Sequence, residues 1–199
     1  HQPKGIKMRD PNASRTYLKT DRACQELRRG GLVLLRLSNG AACLLQAAEL
    51  ASNGARDEMQ RLAGSGAVLI LTDTRMESLG RRLEPEFSGA SLPAHNLDRD
   101  RIERLAIDQP AAGLLDGVTS LVGERRGSLA DYATRLRRIA KLLPAALVTR
   151  LPTRDSAFQQ RLQEDNNLIV INDRDIDGYM DAAAQSLTIA ARARVPLRL

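Results

Sequence analysis

Chemistry in this chain would have to come from a short supply of reactive side chains. Apart from the first residue, its one histidine is His95, which stands beside Pro93 and Asn96 in a loop-like stretch, the ordinary setting of an exposed imidazole. The two cysteines, Cys24 and Cys43, are too few for a disulfide framework or for a structural zinc site, which takes about four Cys or His ligands. Both are expected to pack as small apolar groups. Neither has a histidine nearby in sequence and no G-x-S-x-G elbow is present, so the makings of a nucleophile with its base are missing. No P-loop occurs, and no G-x-G-x-x-G follows a strand; Gly64-Ser65-Gly66 and the stretch Gly113 to Gly117 read as turns. The densest acidic group is Asp173, Asp175, Asp177 and Asp181. It lacks the glycine and terminal glutamate of a calcium loop, and carboxylates at the start of a helix complement the helix dipole, so capping is preferred over cation binding. The residues by themselves therefore point to no catalytic group, no metal site and no cofactor.

The elements that would position any site alternate between helix and strand. Thr20 is placed to cap a helix over Asp21 to Arg29 that Gly30-Gly31 ends. Leu32 to Leu37 and Ala41 to Leu45 flank an Asn-Gly turn and predict a β-hairpin. Ala48 to Arg61 reads as a helix, Ala67 to Leu71 as a buried strand, and Thr72-Asp73 as the cap of a short helix closed at Gly80. Between Arg82 and Ala112 the periodicity fades among Pro85, Pro93 and Pro110, which predicts loops with one short strand around Ile102 to Ile107. The clearest helix starts at Ser128, with Asp131 placed to complete a capping box. Its apolar face runs from Leu129 to Leu143, with Arg135, Arg137, Arg138 and Lys141 largely opposite, until Pro144 stops it. A strand over Ala145 to Leu151, a helix over Asp155 to Glu164, a strand over Leu168 to Ile171 and a last helix from Ile176 through Leu187 complete the pattern. Arg192 to Leu199 reads as an extended tail, and residues 1–19 as a polar tail ahead of a single domain over 20–199. The expected fold class is α/β, an α+β sandwich of a mixed sheet covered by helices.

Composition narrows the function classes. At 43% hydrophobic content the chain can bury one proper core. No apolar run approaches the roughly 20 residues needed to cross a bilayer and the first residues are not signal-like, which predicts a cytoplasmic protein without membrane contact. The net charge of +6 and pI near 9.9 raise nucleic-acid binding. Arginine is spread along the chain among Asp and Glu, however, and 3% aromatic content leaves few stacking platforms, so the charge is assigned to a solvated surface.

The segments "ACQELRRGGLVLL", "LLQAAELAS", "VLILTDTRMESLG", "GSLADYATRLRRIAKLLPAALVTRLP" and "LIVINDRDIDGY" resemble, in order and from about Thr20 to Arg194, the 3,4-dihydroxy-2-butanone-4-phosphate synthase family. The run "AARARVPL" is similar to the junction that leads, in some bacterial GTP cyclohydrolase II proteins, from a synthase-like domain into the cyclohydrolase domain. The resemblance also shows departures. Active synthases carry an acidic loop, D-R-E-N-E-G-D, that binds a divalent cation; between Leu32 and Gln46 this chain offers only Ser38-Asn39-Gly40-Ala41-Ala42. The metal-binding histidine of the family's G-H-T-E-A motif falls at Leu129, counted back from Pro144, and the glutamate of its C-E-I strand falls at Arg150. The resemblance thus implies loss of the metal site, and it leaves a phosphate-sized basic pocket as the surviving candidate for ligand binding. Its members are Arg126, where the motif has arginine, Arg150 with its reversed charge, and Asp131 at the motif's glutamate position. Helix-start surface charge for Arg126 and capping for Asp131 explain these residues as well.

Three functions stay open at this point. The first is a catalytically degenerate synthase-like domain of a riboflavin-biosynthesis GTP cyclohydrolase II-type protein, serving as a scaffold, a homodimerisation unit or a regulator. The second is an active synthase. The third is a sensor of phosphate or another small molecule that reuses the old pocket. A cyclohydrolase active domain needs three zinc cysteines, so this stretch is expected not to hydrolyse GTP by itself and to be the N-terminal part of a longer protein or a stand-alone relative.

Overall fold

The computed structural model describes residues 11–107, 109–111 and 113–193. Seven strands form one sheet: β1 (Val33–Arg36), β2 (Ala42–Ala47), β3 (Val68–Thr72), β4 (Phe87–Pro93), β5 (Val122–Arg125), β6 (Ala145–Arg150) and β7 (Ile169–Asn172). Their order is β5-β4-β3-β6-β2-β1-β7, and every neighbouring pair is antiparallel except β1 with β7. Among the described residues seven α-helices cover it: α1 (Pro11–Arg28), α2 (Asn53–Ala63), α3 (Asp73–Ser78), α4 (Arg99–Ala106), α5 (Leu129–Ile139), α6 (Ser156–Asp165) and α7 (Asp173–Ala193).

The period of two along each strand sorts the core onto two faces. Leu34, Leu44, Leu69, Leu71 and Leu147 point to one side, where residues of α2, α3, α4 and α6 pack on them. Val33, Leu35, Cys43, Leu45, Ile70 and Val148 point to the other, where α1, α5 and the start of α7 cover them. Both faces of the central strands are dry, which is why those strands read as unbroken apolar runs instead of alternating ones. The result is the expected α/β sandwich, with a mixed sheet between two helical layers.

Several local expectations change. The N-terminal helix begins at Pro11, not at Thr20, so residues 11–19 are helical. Thr20 caps nothing: it is buried in the middle of α1, and its hydroxyl donates to the carbonyls of Thr16 and Asp175. Tyr17 of this added stretch stacks on Tyr179 of α7 with ring centroids 5.1 Å apart, a tertiary contact that local periodicity does not encode. Residues 1–10 lie outside the described residues. The predicted helix over Ala48 to Arg61 is split into a 3-10 turn, Ala48–Leu50, and α2, which Ser52 caps by accepting from the amide of Ala55.

The stretch read as loops between Arg82 and Ala112 holds β4 and α4, and the predicted strand at Ile102 to Ile107 falls mostly within α4, capped by Asp98. Strand β4 carries Ser88, Gly89, Ala90 and Ser91, small residues with little strand propensity. Packing explains the choice, because a Cβ on Gly89 would sit 2.2 Å from the carbonyl oxygen of Leu71 on β3. Helix α5 stops at Ile139 instead of Leu143, and Lys141 takes a left-handed backbone (φ 58°) in the turn to β6. Arg137, assigned to its solvent face, is buried and donates to the carbonyl of Leu142. The last helix runs through Ala193, so Arg192 is helical and not extended; the rest of that predicted tail is outside the described residues.

Candidate functional site

Arg126 and Asp131 flank the turn from β5 into α5, and Arg150, at the end of β6, reaches Glu124 of β5. Arg126, Gly127 and Ser128 make the turn. Gly127 takes φ +79°, a left-handed backbone that suits glycine. Ser128 caps α5 by accepting from the amide of Asp131, and Asp131 reaches back to accept from the amide of Gly127 at 2.7 Å. The capping box thus closes one residue earlier than the usual reciprocal bond to the cap residue's own amide. Leu129 opens the helix with its side chain buried in the face shared with α1 and α7.

Each charged candidate carries a partner from the chain itself. Arg150, the last residue of β6, donates from Nη2 to Glu124 Oε1 at 2.6 Å. Arg126 reaches Asp73 Oδ2 at 3.2 Å and donates from Nε to the carbonyl of Pro85. Asp131 receives Arg135 Nη2 at 2.7 Å, and Arg135 also bridges to Asp177 on α7 at 3.1 Å. Asp177 accepts in turn from the hydroxyl of Tyr132, while the Arg135 guanidinium lies 4.7 Å from the centre of the Tyr132 ring. Burial and the Asp177 carboxylate push the Tyr132 hydroxyl above its ordinary pKa, so it acts as a donor and not as a base. Arg126 and Asp131 therefore flank one turn, and Arg150 joins them through Glu124, two residues before Arg126. Glu124 was not picked out from sequence, and Arg135 and Asp177 were read only as a solvent-face charge and a helix-capping carboxylate; a single glutamate in the otherwise basic run Gly123 to Arg126 was the available signal for the first.

Next to the Arg150–Glu124 pair lies an open cleft of about 440 Å³. Val68, Leu92, Pro93, Leu121 and Val122 form apolar walls, with Ser91, Thr119 and Ser120 adding hydroxyls. Only 9% of the Glu124 side chain is exposed against 40% of Arg150, so the carboxylate is the sunken member of the pair.

On the β2 side of β6, Arg150 stands beside Cys43, near the β1–β2 hairpin that Ser38 to Ala41 close. Gly40 there takes φ +85°. Asp173 accepts from both the amide and the hydroxyl of Ser38 at 2.8 Å each. Burial opposes its charge, but these bonds and the amide of Arg174 outweigh it and hold the carboxyl below its usual range. Asp175 accepts from the amide of Asn172 and pairs with Lys19, so the acidic start of α7 serves local capping and inter-helix contacts. Burial drives the thiols of Cys24 and Cys43 up to about 11 and about 12, which keeps both protonated and unreactive. His95 is exposed in the loop after β4.

The divalent cation that the resemblance implies does not fit these residues. Leucine, a guanidinium already held by a carboxylate, and an uncharged turn offer no oxygen-rich cage for a hard cation. Among the described residues, no group of three or more His, Cys, Asp or Glu is placed to hold a metal ion.

No family model matches the chain. It is 34% identical over 186 residues to a GTP cyclohydrolase-2 of Azospirillum brasilense, a match that covers 89% of this chain and 46% of that protein. The chain therefore spans about half the length of that curated relative. Among solved structures it is similar to a two-domain 3,4-dihydroxy-2-butanone 4-phosphate synthase of A. baumannii, with TM-score 0.59, 15% identity, and coverage of 79% of this chain and 56% of that one. A 3,4-dihydroxy-2-butanone 4-phosphate synthase in complex with two magnesium ions matches with TM-score 0.57 and 14% identity over 83% of this chain and 96% of that one. The synthase of Candida albicans gives TM-score 0.55 at 16% identity, covering 82% and 96% of the two chains. The seven-stranded mixed sheet between two helical layers and these likenesses show that the chain has the fold of 3,4-dihydroxy-2-butanone 4-phosphate synthases.

Proposed function

We infer that this domain is catalytically silent and belongs to a riboflavin-biosynthesis protein of the GTP cyclohydrolase II type, where it serves as a cytoplasmic scaffold and homodimerisation unit. The observation that carries the inference is the Arg150–Glu124 ion pair. At the strand position where the synthase resemblance calls for a carboxylate facing a cation, this chain has a cation that binds a carboxylate of its own. The helix start that would bring a metal-binding histidine brings Leu129 into the core instead. The short β1–β2 turn, locked to Asp173, leaves no room for an acidic loop without rebuilding the hairpin. Loss at three places removes the electrostatic stabilisation that an enolisation and rearrangement next to a phosphate ester would require.

Formate release from ribulose 5-phosphate in the presence of magnesium tests this directly, with an active synthase as control. The expected result is no formate above the uncatalysed background. Magnesium-dependent formate would mean that the domain is an active synthase and that the positions assigned to Leu129 and Arg150 are wrong. Sedimentation of the purified chain tests the scaffold role, with a two-fold assembly expected.

A further inference from the structure

We propose that the cleft over the Arg150–Glu124 pair is a binding site for an uncharged, flat molecule that presents an N–H beside a carbonyl, a lactam edge. The pair has unused hydrogen-bonding capacity. Among the described residues Glu124 engages through Oε1 alone and Arg150 through Nη2 alone. That leaves Oε2 as an acceptor, and Nη1 and Nε as donors, on two residues that line one cleft. A ligand edge with a donor next to an acceptor matches this pairing.

Charge selects against the alternatives. The lining carries one cation and one anion 2.6 Å apart, so its net charge is zero. A phosphate dianion would meet the Glu124 carboxylate as a like charge, and a carboxylate ligand would compete with Glu124 for the same guanidinium. A free cation would meet Arg150. A neutral ligand avoids all three penalties and still satisfies both partners, each of which makes stronger hydrogen bonds than neutral groups do. The walls of Val68, Leu92, Pro93, Leu121 and Val122 provide apolar surface for the faces of a flat ring, and about 440 Å³ accommodates one or two fused rings. Val122 is 59% exposed, an apolar side chain in water at the rim of this cleft. The site stands whether or not the domain makes formate, because ligand binding and turnover are read separately.

Uracil and 1,3-dimethyluracil form a matched pair of probes: the same ring and carbonyls, with the N–H donors removed in the second. In a nitrogen-15 NMR titration of the whole chain, uracil is expected to give saturable shifts at the Arg150 Nε–H and at residues 119–122, and 1,3-dimethyluracil to bind about ten-fold more weakly for loss of a bond to a charged acceptor. The single Arg150→Met change would strand a buried carboxylate and risk unfolding, so the variant is Glu124→Met with Arg150→Met, which replaces the pair by apolar groups of similar size. It should keep a dispersed spectrum and lose the preference for uracil over its dimethyl form. Equal binding of the two probes, tighter binding of benzoate or inorganic phosphate, or no saturable shift with any probe would each overturn the proposal.

Discussion

The β1–β2 turn and the β5–α5 corner are each tied to the start of α7, yet they are held by different physics. The turn over Ser38 to Ala41 has no charge of its own; a left-handed glycine shapes it and one carboxylate, Asp173, fixes it from the start of α7. The corner is dense in charge, with Glu124, Arg126, Asp131, Arg135 and Arg150 each matched to an opposite charge. One region holds no charge because its residues carry none. The other holds several charges that pair with one another.

The largest effect on that contrast should come from breaking one partner of the corner. Arg150→Met leaves the Glu124 carboxylate sunken and unpaired, and after allowing for the solvent that reaches Arg150 the expected cost is about 2 kcal/mol in denaturant unfolding at neutral pH. Adding Glu124→Met should recover most of it; if the single variant is as stable as the parent, the pair is not what fixes the corner. Gly40→Ala probes the turn, where a side chain must adopt φ +85° and meets the Cβ of Arg154 at 3.4 Å; a loss of about 1 kcal/mol is expected. Ser128→Ala removes the cap of α5 and should cost about 1 kcal/mol, with the amide of Asp131 exchanging faster as the local readout.

The smallest effect is the pH response of the turn. Asp173 is held below its usual pKa, so its contribution is present above the unfolded-state value and is lost as pH falls through the folded one. Stability measured from about pH 5 downward should fall more steeply for the parent than for Asp173→Asn, by a few tenths of a kcal/mol because the group is partly exposed. Parallel curves would show that Ser38 does not depend on the Asp173 charge.

Capping boxes, glycine stops and buried apolar runs located the hairpin, β3, β6, β7, α5 and α6 to within a few residues, because each rests on contacts within four or five residues of the chain. Strand β4 and the first turns of α1 escaped notice for the opposite reason. Small residues around Gly89 form a strand only because β3 is there to exclude a side chain, and residues 11–19 are helical against α7, with Tyr17 stacked on Tyr179. Of the candidate site, Arg126, Asp131 and Arg150 were legible from the synthase resemblance, and Leu129 was legible as a departure from it. Their partners were not: Glu124 lies 26 residues from Arg150, Asp73 lies 53 from Arg126, and Asp177 lies 42 from Arg135.

Sequence alone determined that this is an α/β chain with an uncharged turn over Ser38 to Ala41, two cysteines that pack in the core and a leucine at the start of α5, since those are matters of residue type and local period. Only the tertiary structure decided what the remaining charges do. An ion pair depends on where distant strands and helices bring two side chains, and here the fold brings Arg150 of β6 against Glu124 of β5 although two strands stand between them.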